Sequence, residues 1–407
     1  MKNDCDICVI GSGAIGKTSA LALAREGYSV TLLSPDGESA HKLAVHEAPW
    51  DLRVYALNHV AHRLLASLRV WDAMDASRIA PVDAMAVRGD DTTPGQLGFD
   101  AYGARVDALA WIIEDSNLNQ ALDNALRFAN SVTQLKSRAV SLSRDARRAT
   151  VTLENGHTIR AALVLGADGA NSWVRSQADI GMDYRSYDQR AVVANFACTN
   201  PHHGVASQWF LRADGIVALL PLPGNRVSLV WSAPEALAER LLSESAEHLC
   251  ERLAALPGQT LGAFSLLPPA KPQAFPLRLI RSHSLVAHRV ALVGDAAHVV
   301  HPLAGQGMNL GFADIDALLT ALNEQGRAAD CGHDRMLARY ARLRKEEVLL
   351  MQLTTDGLHR LFASEFAPVR MLRNAGMTLV NKLPFLKQRL VSHALGRSHH
   401  SSANERT

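Results

Sequence analysis

The chain of 407 residues is long enough for two domains, and its 48% hydrophobic and 20% charged residues are typical of a globular protein. A formal net charge of +2 is too small to indicate nucleic acid as the main partner. No apolar run approaches the roughly 18 residues that a membrane-spanning helix needs. The N-terminal apolar segment is interrupted by glycines and continues into Arg25 and Glu26, unlike a signal peptide. These features predict a cytoplasmic protein that binds no nucleic acid.

Five cysteines are scattered along the chain, and Cys5 and Cys8 form a C-x-x-C pair in the first predicted strand. Residues three apart on a strand point to opposite faces, so these thiols are poorly placed to bind one metal ion. No second pair of Cys or His residues stands at the spacing of a zinc site. We therefore predict no metal site and interpret the cysteines as core residues.

The chain opens with a predicted strand over residues 6–10, which the sequence GSGAIG and then a helix follow. A second predicted strand covers residues 29–33. A strand, a G-x-G-x-x-G turn, a helix and a strand within about 30 residues form the pattern of a dinucleotide-binding unit. The glycines allow a tight turn, approach of a pyrophosphate and close packing of the helix. The residues predicted to contact the dinucleotide here are Gly11, Gly13, Ala14, Ile15 and Gly16.

The same turn also satisfies the G-x-x-x-x-G-K-T pattern of nucleoside triphosphatases, in which Lys17 would hold phosphates and Thr18 a magnesium ion. The middle glycine and the prompt second strand favour dinucleotide binding, so Lys17 is interpreted as a solvated or helix-flanking side chain. An acid normally follows the second strand of a dinucleotide-binding unit and holds the ribose. Here either Ser34 makes a weaker hydrogen bond or Asp36 reaches back, and both alternatives stay open.

The middle of the chain alternates between helical and strand patterns. An amphipathic helix is predicted over residues 60–74, strands over 82–113 and a further helix over about 117–129. A β-meander with an Asn-Gly turn follows over residues 132–165. Residues 183–274 have the pattern of an antiparallel sheet with one helical insert. The apolar side chains that could line a pocket in this part are Trp209, Phe210, Leu220 and Trp231.

Residues 288–314 contain a second strand, turn and helix. A buried strand ends in a Gly-Asp pair, and a Gly-Gln-Gly turn precedes the helix. A helix start carries unpaired N–H groups and a partial positive charge, so it favours an anionic group. With an acid at a strand end, it suits a polyhydroxyl chain on an electron-accepting ring, as in a flavin. The residues predicted to contact the flavin are Gly294, Asp295, Gly305, Gly307, Met308 and Asn309.

The sequence GDAAHVVHPLAGQGMNLGFADIDAL of residues 294–318 resembles the second flavin motif of the aromatic-ring flavin hydroxylases, and it is similar to that of the ubiquinone-biosynthesis hydroxylases in particular. GADGANSWVR of residues 166–175 resembles the DG motif of the same family. The resemblance covers nearly the whole chain. It implies a para-hydroxybenzoate-hydroxylase-like α/β fold, with a Rossmann-like FAD-binding domain, an interleaved antiparallel β-sheet substrate domain and a C-terminal helical region.

Domain boundaries follow from this likeness. The FAD-binding domain is predicted in two parts, residues 1–182 with a β excursion near 82–113, and residues 275–325. The substrate domain is predicted over residues 183–274, where its sheet would cover the flavin ring. A C-terminal helical region over 326–397 and a disordered tail over 398–407 complete the prediction.

The resemblance also implies roles for single residues. Arg53 would lie against the cofactor pyrophosphate, where a guanidinium forms bidentate, charge-assisted contacts, and Asp168 would lie on its diphosphate side. Backbone N–H groups of residues 307–309 would stabilise negative charge on the flavin, as in an oxyanion hole. Pro302 stands where the family has a proline beside the reacting face, and His301 is a candidate acid or base. Trp209 and Leu220 are the substrate-contact candidates.

A single dinucleotide unit implies non-covalent FAD as the resident cofactor, with NAD(P)H binding transiently as co-substrate. In the family, reduced flavin takes up O₂, and a C4a-hydroperoxide passes an OH group to an electron-rich ring. The substrate implied by the likeness is a polyprenylated phenol or quinone precursor of ubiquinone biosynthesis. A hydroxylase of small soluble aromatics and a non-catalytic flavin-binding accessory protein are the alternatives.

The C-terminal region is basic, with 12 Lys and Arg against 4 Asp and Glu between residues 335 and 397, a local charge of +8. Basic helices with leucine faces suit a membrane surface or a partner protein. An ordinary solvated face is an equal alternative. We predict peripheral contact with the inner membrane face or with a biosynthetic complex.

Overall fold

The computed structural model describes residues 4–35, 49–89, 96–268, 271–300 and 305–363. His301 and Pro302, the predicted catalytic residues, lie outside the described residues, and so do Asp36 and the predicted disordered tail. The predicted C-terminal helical region is described as far as residue 363.

The elements alternate between strands and helices in the way the sequence pattern predicts for an α/β protein. The strands in chain order are β1 (Cys5–Ile10), β2 (Val30–Ser34), β3 (Val54–Leu57), β4 (Ile79–Val82), β5 (Ala84–Arg88), β6 (Gln96–Asp100), β7 (Ala110–Glu114), β8 (Val132–Lys136), β9 (Ala139–Arg144), β10 (Ala149–Leu153), β11 (Thr158–Gly166), β12 (Met182–Cys198), β13 (Val205–Leu211), β14 (Gly215–Leu222), β15 (Arg226–Pro234), β16 (Phe264–Leu266), β17 (Gln273–Ser282), β18 (Val286–Ala287), β19 (Val290–Leu292) and β20 (His298–Val299). The helices are α1 (Ala14–Arg25), α2 (His59–Ser67), α3 (Ala101–Ala104), α4 (Asp115–Arg127), α5 (Trp173–Gln177), α6 (Glu235–Ser243), α7 (Ala246–Ala254), α8 (Gln306–Gln325) and α9 (Asp334–Ala363).

The first sheet has the strand order β18-β19-β11-β1-β2-β8, with β10 and β9 added beside β11. β1 pairs in parallel with β11 and β2, and β2 pairs in parallel with β8. The predicted Rossmann-like core is therefore present, and the predicted fold class is confirmed. The meander predicted over residues 132–165 is formed by β9, β10 and β11 alone. β8 is not part of the meander. It follows α4 and pairs in parallel with β2 at the edge of the sheet.

Both thiols of the C-x-x-C pair lie in the core, but the prediction that they point to opposite faces is wrong. Cys5 and Cys8 are buried in the same hydrophobic cluster. The amides of Asp6 and Ile7 both donate to the carbonyl of Ser29, at 3.0 and 3.1 Å, so a β-bulge shifts the alternation of side chains. Burial raises the pKa of each thiol, as expected for core residues.

The second sheet has the order β20-β17-β12-β15-β14-β13-β5-β6, with β16 beside β12. Its pairings are antiparallel except for β13 with β5. β5 and β6 come from the predicted excursion near residues 82–113, and β17 extends past residue 274. The residues of this sheet therefore do not coincide with the predicted substrate domain of residues 183–274. The reason is that β13 pairs with β5, which lies far away in the sequence.

Successive side chains of the second sheet point to opposite faces, as the pleat of a strand requires. The side chains in the core under α6 and α7 include Val192, Val217, Leu219, Leu229 and Trp231. The side chains that line a cavity include Ala191, Val193, Ala218, Leu220 and Val230. One face of the sheet is therefore closed by helices, and the other is available to a ligand.

A third, small sheet of β3, β7 and β4 lies between the other two, with β4 against β14 and β3 against α8. α8 also packs against α1, α2 and α9, which places its first turn beside the small sheet. Among the described helices, none is both long and apolar enough to cross a bilayer.

Candidate functional site

The first glycine turn, between β1 and α1, is tightly packed on one side and open on the other. A Cβ at Gly11, whose φ is +115°, would overlap the carbonyl of Ala167. A Cβ at Gly16 would overlap the carbonyl of Gly11, whereas a Cβ at Gly13 would meet no atom within 4 Å. The open space at Gly13 is what close approach of a pyrophosphate requires.

The start of α1 has free backbone donors. Gly13 caps it without a side-chain hydrogen bond, and its first turn contains no acidic residue. The amides of Ala14 and Ile15 are therefore available to an anionic group. The side chain of Ile15 would lie 3.3 Å from a Cβ at Gly294 and 2.8 Å from one at Gly311. The two glycine motifs thus contact each other directly.

Lys17 is buried between α1 and α4, so its interpretation as a solvated side chain is wrong. Its ammonium lies 2.6 Å from Oδ1 of Asp123 and donates to Oδ1 of Asn119 at 3.2 Å. The side chain is held there because α1 packs on α4, a contact that the local sequence pattern does not reveal. The ammonium is engaged with α4, and this speaks against a phosphate loop of the triphosphatase type.

Ser34 ends β2 next to the first glycine turn, where its hydroxyl accepts a hydrogen bond from the hydroxyl of Ser12 at 2.7 Å. Its position at the strand end is the one from which such units hold a ribose. Ribose binding by Ser34 stays a prediction.

A cavity of about 490 Å³ lies between the second sheet and the second glycine motif. Arg53, Asp295 and residues 305–309 line one part of its wall. The open face of the second sheet, with β3 and β7 of the small sheet, lines the remainder. The structure thus brings together Arg53, the second glycine motif and Leu220, three predicted parts of the site that are far apart in the sequence.

The charged side chains of Arg53 and Asp295 both line the cavity. The carboxylate of Asp295 is exposed to it and accepts no hydrogen bond from a described residue. The protein surrounds the cavity onto which Asp295 opens, so desolvation raises the pKa of this carboxyl group, and the attraction of His298, Arg53 and Arg278 partly offsets the rise. The guanidinium of Arg53 forms no ion pair within the described residues. Tyr55 raises its pKa, and nearby carboxylates add to this rise while burial opposes it. Both groups are available to a ligand.

The Arg53→Ala variant is expected to bind FAD about tenfold more weakly, because a charge-assisted hydrogen bond contributes about 1.5–3 kcal/mol. Titration of the apoprotein with FAD, followed by flavin fluorescence, measures this. The exposed Arg63 of α2 provides the matched control, and Arg63→Ala should leave the dissociation constant unchanged. An unchanged constant in Arg53→Ala would remove Arg53 from the cofactor site.

The start of α8 is a second set of free donors. Gly305 caps it at a φ of +64°, without a side-chain hydrogen bond and without an acid in the first turn. A Cβ at Gly305 would lie 3.2 Å from Cβ of Ala56, whereas a Cβ at Gly307 would meet no atom within 4 Å. The backbone at Gly307 and Met308 is therefore open to the cavity, as predicted contacts with a flat ring require.

Asn309, by contrast, uses its side chain to fix this helix start. Its Oδ1 accepts from the amide of Asn58 and its Nδ2 donates to the carbonyl of Ala56, both at 2.9 Å. Asn58 in turn caps α2 through the amides that follow it. Only the backbone of Asn309 is left for the predicted contact with the flavin.

Asp168 shapes the turn after β11. Its Oδ1 accepts from the hydroxyl of Ser172 at 2.5 Å, and its Oδ2 accepts from the amide of Val174 at 2.9 Å. The neighbouring Arg175 donates to the carbonyl of Ala296 at 2.9 Å and so ties this turn to the second motif. The predicted contact of Asp168 with the diphosphate stays a prediction.

A buried network that the sequence analysis did not single out supports the second motif. Oδ2 of Asp314 accepts from the amide of Gly294 and from Nε2 of His298, both at 2.8 Å, and Oδ1 accepts from Nε of Arg344 at 2.7 Å. Burial alone would raise the pKa of Asp314, but His298, Arg344 and the hydrogen bonds outweigh it and lower the pKa. Asp314 is visible in the sequence as the acid after the glycine turn. Arg344 has no signal there, because it lies on α9.

Of the two predicted substrate contacts, Leu220 lines the cavity and Trp209 does not. Trp209 is 1% exposed and donates from Nε1 to the carbonyl of Pro257 at 2.9 Å, within the core under α6 and α7. The prediction for Trp209 is wrong because side chains alternate along β13, and it is the neighbouring Gln208 that lies on the cavity side. Trp231 lies in the same core as Trp209.

Comparison with known proteins agrees with these observations. The model of the FAD binding domain family matches residues 4–348. Ubiquinone hydroxylase UbiL of Rhodospirillum rubrum is 37% identical, over 96% of this chain and 89% of the relative. The 3-demethoxyubiquinol 3-hydroxylase of Escherichia coli is 34% identical over 96% and 98%. The ubiquinone biosynthesis monooxygenase COQ6 of Danio rerio is 31% identical over 96% and 89%.

Solved structures share the fold at lower identity. The p-nitrophenol 4-monooxygenase PnpA of Pseudomonas putida has a TM-score of 0.75 at 18% identity and covers 98% of this chain and 100% of its own. PqsL of Pseudomonas aeruginosa, in complex with 2-aminobenzoylacetate, has a TM-score of 0.74 at 23% identity, over 92% and 99%. HpxO of Klebsiella pneumoniae, with FAD and uric acid, has a TM-score of 0.71 at 18% identity, over 96% of both chains.

Proposed function

The chain belongs to the ubiquinone-biosynthesis hydroxylases, a family of FAD-dependent monooxygenases, and we propose that it hydroxylates the aromatic ring of a polyprenylated phenol or related quinone precursor. Each turnover would consume one O₂ and one NAD(P)H with a proton. One oxygen atom would enter the ring as a hydroxyl, and the other would leave as water.

The described residues fit FAD as the resident cofactor. The space at Gly13 and Gly307 would hold the pyrophosphate and the flat ring, because any side chain at these positions would fill it. The uncapped starts of α1 and α8 and the guanidinium of Arg53 supply donors for anionic groups. Asp295 supplies acceptors for hydroxyl groups.

FAD, when bound, supplies the electron transfer between NAD(P)H and O₂ that protein side chains do not provide. The chain's own part is to bind, to orient and to exclude water. The amides at the start of α8 would hold negative charge that develops at the edge of the flavin, and they need no rearrangement to do so. His298 is engaged with Asp314 in the buried network, so it supports the motif rather than moving a proton.

One observation carries the substrate class, namely the apolar cavity wall formed by the second sheet. Small side chains such as Ala191 and Ala218 stand beside Val193, Leu220 and Val230. Such a wall favours a flat ring with a hydrocarbon substituent over a multiply charged aromatic compound, because a charge without a partner is costly to bury there.

The test is turnover by the purified FAD-loaded protein. NAD(P)H oxidation is followed with and without a prenylphenol, and products are identified by mass spectrometry. We expect the prenylphenol to accelerate oxidation and to gain one oxygen atom derived from O₂. Turnover of a small soluble phenol but not of its prenylated form would favour the alternative substrate class. Bound FAD without product from either compound would favour an accessory protein.

We also propose that the basic C-terminal region contacts an anionic membrane surface or a partner protein. Part of the +8 charge of residues 335–397 is already engaged, since Arg339 pairs with Glu324 and Arg344 with Asp314. The remainder of that region lies largely outside the described residues. Co-flotation with vesicles containing phosphatidylglycerol, lost at high salt, would support the membrane proposal. Equal flotation with neutral vesicles would contradict it.

A further inference from the structure

The apolar wall of the cavity carries two polar side chains that have no partner within the described residues. Gln208 of β13 is 6% exposed and Ser232 of β15 is 4% exposed. Both line the cavity, and neither side chain forms a hydrogen bond with another described residue. Each residue is almost entirely buried and borders the cavity, so the polar atoms of its side chain are available to a ligand that completes their hydrogen bonds.

The surroundings of Gln208 leave room for a planar ring. Along the sheet it lies opposite Ala218, which lies opposite Val230. Ala206, two residues earlier on β13, also lines the cavity. The small methyl side chains of Ala206 and Ala218 stand beside the carboxamide of Gln208. They would allow a ring to lie flat against the sheet with its edge at this carboxamide. Ser232 is two residues past Val230 and faces the same cavity.

We propose that Gln208 and Ser232 bind the oxygen substituents of the substrate ring and thereby orient it within the cavity. A carboxamide and a hydroxyl each offer a donor and an acceptor, which matches a neutral phenol hydroxyl and a neighbouring ring oxygen. The charged groups of the wall have other roles, because Arg278 donates to Asn171 at 3.2 Å, and Arg53 and Asp295 are assigned to the cofactor under the proposed function. This inference rests on the proposed function, since it takes the ligand to be an oxygenated aromatic ring.

The experiment measures binding to the FAD-loaded protein, so that it does not depend on turnover. The probes are ortho-geranylphenol and geranylbenzene, which differ only in the ring hydroxyl, and binding is followed by the flavin absorption spectrum. We expect wild-type protein to prefer the phenol by about tenfold, the discrimination expected from loss of one buried hydrogen bond. Gln208→Met retains the length of the side chain but removes the amide. In this variant the preference for the phenol should fall below about twofold, and the affinity for geranylbenzene should be unchanged.

Two further variants control this result. Ser232→Ala removes one hydroxyl with little change of volume, and it should reduce the preference in part. Gln134→Met makes the same exchange at an exposed position of β8, and it should leave the preference intact.

Three outcomes overturn the inference. The first is equal binding of both probes by wild-type protein, and the second is a full preference for the phenol in Gln208→Met. The third is a weakened FAD affinity in Gln208→Met with the preference for the phenol unchanged, which would place Gln208 against the cofactor. If wild-type protein binds with the expected preference but forms no hydroxylated product, the ring contact stands and the proposed reaction fails. The two failures are therefore distinguishable.

Discussion

Purified Asp295→Ala protein is expected to contain little or no FAD, whereas wild-type protein shows the flavin absorption spectrum. The carboxylate of Asp295 faces the cavity and is unpaired within the described residues, so its acceptors are available to the cofactor. Hydrogen bonds to a charged group contribute about 1.5–3 kcal/mol each, which corresponds to about a ten- to hundredfold weaker dissociation constant. The ratio of flavin to protein absorbance, and titration of the apoprotein with FAD, measure the effect.

The same substitution should leave the apoprotein at least as stable as wild type. Burial raises the pKa of Asp295 in the folded chain above the ordinary value of 3.8. The folded state therefore binds a proton more tightly than the unfolded state, and this stabilisation is complete below the ordinary pKa and lost as pH rises through the raised one. At neutral pH the charged carboxylate opposes folding, and alanine removes that opposition. Urea unfolding of the apoproteins checks this.

The exposed Asp72 provides the control for this pair of effects, since Asp72→Ala should alter neither FAD content nor unfolding. Full flavin occupancy in Asp295→Ala would show that our assignment of the second motif is wrong. Loss of FAD together with a large loss of apoprotein stability would assign Asp295 to the fold rather than to the cofactor site.

Asp314→Asn is expected to lower the free energy of unfolding by about 3–5 kcal/mol, the range for breaking a buried ion pair from one side. Asp314 is fully buried and accepts hydrogen bonds from Gly294, His298 and Arg344. An asparagine would direct its NH₂ group at donors and remove the buried carboxylate partner of Arg344, which would keep only the partly exposed Glu347. Urea unfolding at neutral pH measures the loss. Because the network holds the amide of Gly294, FAD affinity should fall as well.

The pH dependence identifies the cause. The folded-state pKa of Asp314 is lowered, so its contribution to stability is present above the ordinary pKa of 3.8 and disappears as pH falls through the lowered value. The difference in stability between wild type and Asp314→Asn should therefore narrow under acidic conditions. Asp72→Asn, at an exposed carboxylate outside the network, should cost little at any pH. A constant difference across the whole pH range would argue against the ion pair.

Much of the fold was predictable because its signals are local. The strand, glycine turn and helix of residues 6–33 predicted the parallel core that β1, α1 and β2 form. The second unit, around Gly294 and Gly305, was equally readable, because positive φ values at glycine and an uncapped helix start depend only on neighbouring residues. The family resemblance rests on these same segments.

Side-chain direction was less predictable. Trp209 was expected to contact substrate, since large apolar residues line pockets as readily as cores. The register of β13 places it in the core and turns Gln208 to the cavity instead. Lys17 was interpreted as a solvated or helix-flanking side chain, and it lies buried in an ion pair with Asp123 across the contact of α1 and α4.

Local sequence patterns were sufficient to predict where the chain turns, where its helices begin and which residues stand at strand ends, because backbone geometry and helix-end electrostatics act within a few residues. Long-range packing, in contrast, places Arg53 in one cavity with Asp295 and the start of α8, and it brings Arg344 of α9 against Asp314. These contacts join residues that are distant along the chain. Sheet register and helix packing set them, and both are properties of the whole core rather than of any local segment.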